Sequence, residues 1–185
     1  KADIVIIKNI DNLSVESLSA DTILYKKLLT GFLIKIQKQV FHYLDQLEKN
    51  KLSDEGINEI LLFAKNQLNI TQSEKFELLN IEQKKENLYR QLNRPIRICG
   101  MVKNEGEPGG SPFWVKSDDE NVTLQIVERA QIDVNDENQQ KIFMKSTHFN
   151  PVDLICSVKD FKGNNFDLHN FVDHQSGIIT KKSKD

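Results

Sequence analysis

The apolar positions of the first ten residues run almost without interruption. Residues 3–10, from Asp3 to Ile10, are short and rich in Ile and Val, which predicts a strand buried on both faces. Asp11 and Asn12 stop it, since both are poor in strands and good in turns. The period then changes. Over 21–49 the residues Ile23, Leu24, Leu28, Phe32, Ile36, Val40, Leu44 and Leu47 recur every three or four positions, with Lys and Gln between them. This predicts one long helix with Asp21 as its N-cap. Leu33, Ile34 and Phe41 fall outside that stripe and raise the prospect of a surface that docks a partner or a second copy. Ser53, Glu55, Ile57, Ile60, Leu61 and Leu62 predict a second helix, with a break over 66–72. A third, over 73–92, has thin apolar content and covers the core with one narrow stripe.

Pro95 marks a switch to period two. Residues 95–102, 113–116 and 122–129 alternate branched apolar and polar side chains, as strands do. Gly106, Pro108, Gly109, Gly110 and Pro112 separate them. Further on, 151–158 reads as a short helix with Pro151 at its first position and Asn150 as its N-cap. Beyond Gly163 the chain has scattered aromatics and no period, so loops with one or two short strands are expected. The organisation is therefore a strand with its Asp-Asn turn over 1–12, a helical insert over 13–94 and a sheet-rich part over 95–185. The predicted class is α/β, a mixed sheet flanked by helices.

Composition narrows the function classes. The 185 residues suffice for one domain or part of one. With 25 basic against 27 acidic residues the net charge is −2, which provides no field to gather nucleic acid or an anionic membrane. No apolar run approaches the length of a membrane span, and the first residues lack the charged-then-apolar order expected of a signal peptide. Cys99 and Cys156 stand 57 positions apart without metal spacing and read as reduced thiols, so the expected compartment is the cytoplasm. The ends, Lys1 and the basic tail to Asp185, read as cut, which suggests a fragment.

Four places offer chemistry. Asp11 and Asn12 follow a strand, where a carboxylate can hold Mg²⁺ against a substrate phosphate; the alternative is a turn with local side-chain bonds only. In the loop over 103–110, Gly109 and Gly110 permit close approach of backbone N–H groups to a phosphate, although Glu105 and Glu107 oppose one unless a cation intervenes; the alternative is a hairpin loop. Glu128, where a strand emerges, can accept bonds from sugar hydroxyls or simply pair with Arg129. Asn150 can serve a helix end and a ligand together. His42, His148, His169 and His174 have no metal-ligand spacing, and no Ser lies in a nucleophile elbow.

In order, these pieces resemble the sugar-nucleotide pyrophosphorylases of the UTP–glucose and UDP-N-acetylglucosamine type. The matching segments are IKNIDNL at 7–13, LQIVERAQI at 124–132 and FN at 149–150. The segments RPIRICGMVKNEGEPGGSPFWV and STHFNPVDLICSVKD resemble more closely a Bacteroidetes-type family catalogued as a domain of unknown function, over essentially the whole chain. The pyrophosphorylase resemblance implies a nucleotide-diphospho-sugar transferase fold, Asp11 as a Mg²⁺ ligand, Glu128 receiving sugar hydroxyls and Asn150 contacting the sugar. It implies a sugar phosphate or sugar nucleotide as partner, and an uridine-linked nucleotide. Those enzymes carry a lysine just ahead of Phe-Asn. Here Lys145 stands two positions too early, so it reaches from a shifted backbone or the role is unfilled. Their glycine-rich triphosphate loop is missing from this chain, which alone is expected to turn nothing over. Three readings follow: half of a sugar-1-phosphate nucleotidyltransferase, a non-catalytic sugar-nucleotide-binding module, or an interaction domain.

Overall fold

The computed structural model describes residues 2–9, 19–106, 109–117, 120–174 and 176–177. The chain is α/β, and the strands among the described residues form three small antiparallel sheets. In order, β1 (Ile4–Lys8) precedes α1 (Ser19–Glu48), α2 (Asp54–Gln67), β2 (Ile70–Thr71), α3 (Glu74–Glu77) and α4 (Ile81–Leu92). Then follow β3 (Ile96–Cys99), β4 (Val102–Lys103), β5 (Ser111–Lys116), β6 (Val122–Val127), α5 (Glu137–Met144), β7 (His148–Phe149) and β8 (Asp153–Ser157). The sheets are ordered β1-β8-β3, β2-β6-β5 and β4-β7. Every described strand pair is antiparallel, so the single mixed sheet expected from the sequence is replaced by three separate ones.

The helical half follows its apolar periodicity. Ile36, Val40, Tyr43, Leu44 and Leu47 of α1 meet Ile57 and Ile60 of α2, Phe76 of α3 and Leu88 and Leu92 of α4 in one buried cluster. Each such side chain contributes about 1.5–3 kcal/mol by leaving water. Local signals set the breaks. Ser53 caps α2 by accepting from the Gly56 N–H. After α1, Asn50 takes φ 52°, with Asn50 N–H donating to Leu47 O and Lys51 N–H to Gln46 O. That is a Schellman ending, with Asn where Gly is commoner. The single third helix expected over 73–92 is two helices. Asn80 and Gln83 exchange side-chain-to-backbone bonds of 3.0 Å, and this reciprocal cap starts α4 afresh.

Several expectations are corrected. Asp21 is not an N-cap, because α1 begins at Ser19 and places Asp21 in its first turn, where its charge suits the helix dipole. Leu33, read as surplus, is 0% exposed, whereas Leu28, assigned to the core stripe, is 58% exposed with Ile23, Leu24, Tyr25 and Phe32 also open. The core takes the C-terminal half of α1 only. β1 is a strand but, among the described residues, an edge one that pairs with β8 alone, and Val5, Ile6 and Ile7 are exposed. Residues 151–158 form no helix, since Asp153–Ser157 is the central strand β8, with Ile155 fully buried. Tertiary demand for a strand between β1 and β3 overrides the Pro-first helix signal. The loop over 103–110 is not a hairpin, because β4 pairs with β7 and β5 with β6. Beyond Gly163 there is a 3₁₀ turn, Leu168–Phe171, and one isolated bridge between Lys159 and Asn165.

Candidate functional site

Four of the residues singled out in the sequence come together where β5 starts. The Asn150 N–H donates to Gly110 O at 2.8 Å. A Cβ built on Gly109 would lie 2.9 Å from Phe149 Cδ2 and 3.6 Å from Asn150 O; one on Gly110 would run into Ile126 Cγ2 and lie 3.4 Å from Glu128 Cγ. Gly109, Gly110, Glu128 and Asn150 therefore share one neighbourhood, drawn from the loop before β5, the end of β6 and the residue after β7. The two glycines are needed because the chain passes too close to Phe149 and Ile126 for any side chain.

Asn150 is buried and turned inward. Its Nδ2 donates to Gly100 O at 2.6 Å and its Oδ1 accepts from the Val152 N–H at 3.0 Å. This is an Asx turn, not the helix cap expected, and it leaves one N–H and one lone pair of the amide for anything else. The turn carries Val152 at φ 56°, a left-handed conformation that a β-branched residue adopts only under constraint. The constraint is visible on both sides: the Asn9 N–H donates to Val152 O at 3.2 Å and the Gly100 N–H to Asp153 O at 2.8 Å.

Glu128 sits at an exposed strand end, ahead of the 3₁₀ turn Arg129–Gln131. Its N–H donates to Gln131 Oε1 at 2.9 Å, and the Gln131 N–H donates back to Glu128 O at 2.9 Å. This fixes the backbone at an exposed residue. Lys145 ends α5, with its N–H donating to Ile142 O and Phe143 O. It borders an open depression of about 300 Å³ lined by Pro112, Phe113, Ile142, Ser146, Thr147 and His148. Phe113 stacks on Phe143, with ring centres 5.5 Å apart, and so pins α5 to β5. Thr147 Oγ1 lies 2.9 Å from His148 Nδ1. Thr147 and His148, which stand directly before Phe149 in the sequence, line the same depression as Lys145.

Asp11 and Asn12 lie outside the described residues. Among the described residues, Lys8 Nζ pairs with Asp153 Oδ2 at 2.8 Å, both side chains being mostly buried. Asp153 Oδ1 is buried with no hydrogen-bond partner. A carboxylate oxygen left in that state suits a cation. Among the described residues no three His, Cys, Asp or Glu side chains form a metal cluster. Nor is any helix among them long and apolar enough to cross a membrane.

No curated protein and no solved structure matches the chain. A family match spans residues 1–185, and on it the chain belongs to the family described as a domain of unknown function (DUF4301).

Proposed function

We propose that the chain supplies the sugar-binding and metal-binding part of a nucleotidyltransferase-like protein with a nucleotide-diphospho-sugar transferase-like arrangement. In that reaction an oxygen of a sugar 1-phosphate attacks the α-phosphorus of a nucleoside triphosphate, UTP by the resemblance, and pyrophosphate leaves. The observation that carries the reading is the convergence of Gly109, Gly110, Glu128 and Asn150, which the sequence spreads over positions 109 to 150 and which gather around the two glycines. Glu128 offers an acceptor for sugar hydroxyls, and Lys145 offers a cation beside the depression for a phosphate. Asn150 acts mainly by holding this corner together, with one donor left toward a sugar.

Mg²⁺ would be held by Asp11 with Asp153, whose unpartnered oxygen supports a cation there. It would neutralise phosphate charge as the transfer proceeds. Asn12 is the next candidate for the substrate side.

The test is pyrophosphate release by the intact protein with Mg²⁺, UTP and a panel of sugar 1-phosphates. Glu128→Gln and Lys145→Ala, both at exposed positions, are expected to lower kcat/KM by at least about tenfold each, the loss of about 1.4 kcal/mol of transition-state stabilisation. Sugar-nucleotide binding without turnover, insensitive to Asp11→Ala, would favour the non-catalytic binding module. Neither binding nor turnover in a folded protein would end both readings.

A further inference from the structure

The two thiols, remote in sequence, share one face of the β1-β8-β3 sheet. The register pairs Arg97 with Cys156 and Cys99 with Leu154. Paired residues of an antiparallel ladder project to the same side, and so do residues two apart on a strand. Cys99, Arg97, Cys156 and Leu154 therefore lie together, on the face opposite Ile155 and Ser157. Val5 and Ile7 of β1 extend that face. Cys99 and Cys156 are diagonal neighbours, both partly buried.

The diagonal decides what they can do. Such positions are about 7–8 Å apart between Cα atoms. A disulfide needs about 4.4–6.8 Å, so the undistorted sheet does not favour closing one. Two thiolates around a single ion need their sulfurs only about 4.6 Å apart, at about 2.3 Å per bond, which side chains leaning together across a diagonal can reach. Among the described residues no third His, Cys, Asp or Glu joins the two thiols in a cluster. Two thiols without a third such ligand suit a soft cation content with two ligands, not a closed four-ligand zinc site. Charge also balances. Arg97 stands directly opposite Cys156 and two residues from Cys99, with its guanidinium held by a 3.1 Å bond to Gln125 Oε1. Burial pushes both thiols up, and Arg97 acts against it on each.

We propose that Cys99 and Cys156 form a two-thiolate site for a soft d¹⁰ cation of the Cu(I) type, with Arg97 offsetting its charge. On binding, two S–H bonds break and two S–Cu bonds form. Two protons pass to solvent, copper stays monovalent and no thiol is oxidised. The complex carries one negative charge against the one positive charge of Arg97.

The test is an anaerobic titration of the protein with Cu(I) against a chromogenic copper chelator. One Cu(I) per chain is expected, with an ultraviolet thiolate-to-copper band that disappears in Cys99→Ser and in Cys156→Ser. Arg97→Gln should keep the band and weaken binding by about tenfold, as outer partners of metal ligands do. In the unaltered protein, where no variant has to fold, one equivalent of Cu(I) should protect both cysteines from alkylation, read by mass. Either cysteine remaining freely alkylated, or full binding by either serine variant, overturns the site. So does an oxidised-glutathione treatment that closes a Cys99–Cys156 disulfide in the folded chain, since it would show that the diagonal spacing does not hold.

Discussion

The side-chain amide of Asn150 donates to the carbonyl of Gly100 at 2.6 Å, while the Gly100 N–H reaches Asp153 O at 2.8 Å. One glycine thus closes the corner between β3 and β4 onto the turn between β7 and β8. A Cβ on Gly100 would approach Asp153 Cβ at 3.3 Å, so the closeness of the two chains is part of the arrangement. Asn150 bonds three times into this corner, through its N–H, Nδ2 and Oδ1, all within a buried setting.

From this, Asn150→Ala is expected to destabilise the protein by about 2–3 kcal/mol, because it leaves Gly100 O and the Val152 N–H without their partners. Asn150→Asp keeps the acceptor for Val152 but places a carboxylate against the Gly100 carbonyl, so it should cost no less. Urea unfolding midpoints at unchanged m-value measure both. A loss under about 0.5 kcal/mol for Asn150→Ala would show that solvent takes over these bonds.

Lys8 and Asp153 form a mostly buried ion pair, 17% and 19% exposed. Removing Lys8 alone leaves a carboxylate with neither oxygen partnered, so Lys8→Ala is expected to cost about 2–3 kcal/mol. The double variant Lys8→Ala, Asp153→Ala should cost less than the sum of the singles by about 1 kcal/mol or more. If Asp153 also serves Mg²⁺, the ion will stabilise Lys8→Ala more than the parent, read as a Mg²⁺-dependent rise in Tm. Additive costs and no Mg²⁺ effect would count against both the pair and the ligand role.

Tyr43, deep in the helical core, has its phenol pushed above 10.0, first by burial and then by its 2.8 Å bond to Glu59 Oε1. The folded state therefore keeps this proton when the unfolded chain has lost it. Stability from that difference is complete below pH 10.0 and falls as pH rises through the folded value. Tyr43→Phe should unfold less steeply than the parent above pH 10, compared by denaturant midpoints at pH 8 and pH 10.5. Parallel alkaline losses in the two proteins would refute the assignment.

Much of the helical half was legible because its signals are local. Ser53 before Asp54, the three-to-four spacing of Ile36, Val40, Leu44 and Leu47, and the breaks before β2 and at Pro95 each act within a turn or two of chain. The strand segments after Pro95 were equally readable from branched residues in alternation. What misled was the stretch after Pro151. A proline at a helix start and a proline after an Asx turn look alike until the partners of Asn150 are known.

The sequence alone determined α1, α2, the strands that follow Pro95 and the near-neutral charge, since propensity, periodicity and composition belong to short windows of residues. Only tertiary structure decided which stripe of α1 is covered, that 153–157 is a strand, and that Glu128 and Asn150 each approach Gly110. It also brought Cys99 and Cys156 to one sheet face. Those facts depend on strand register, a relation between segments far apart in the chain. A one-residue slip in that register would turn every side chain of a strand to the other side.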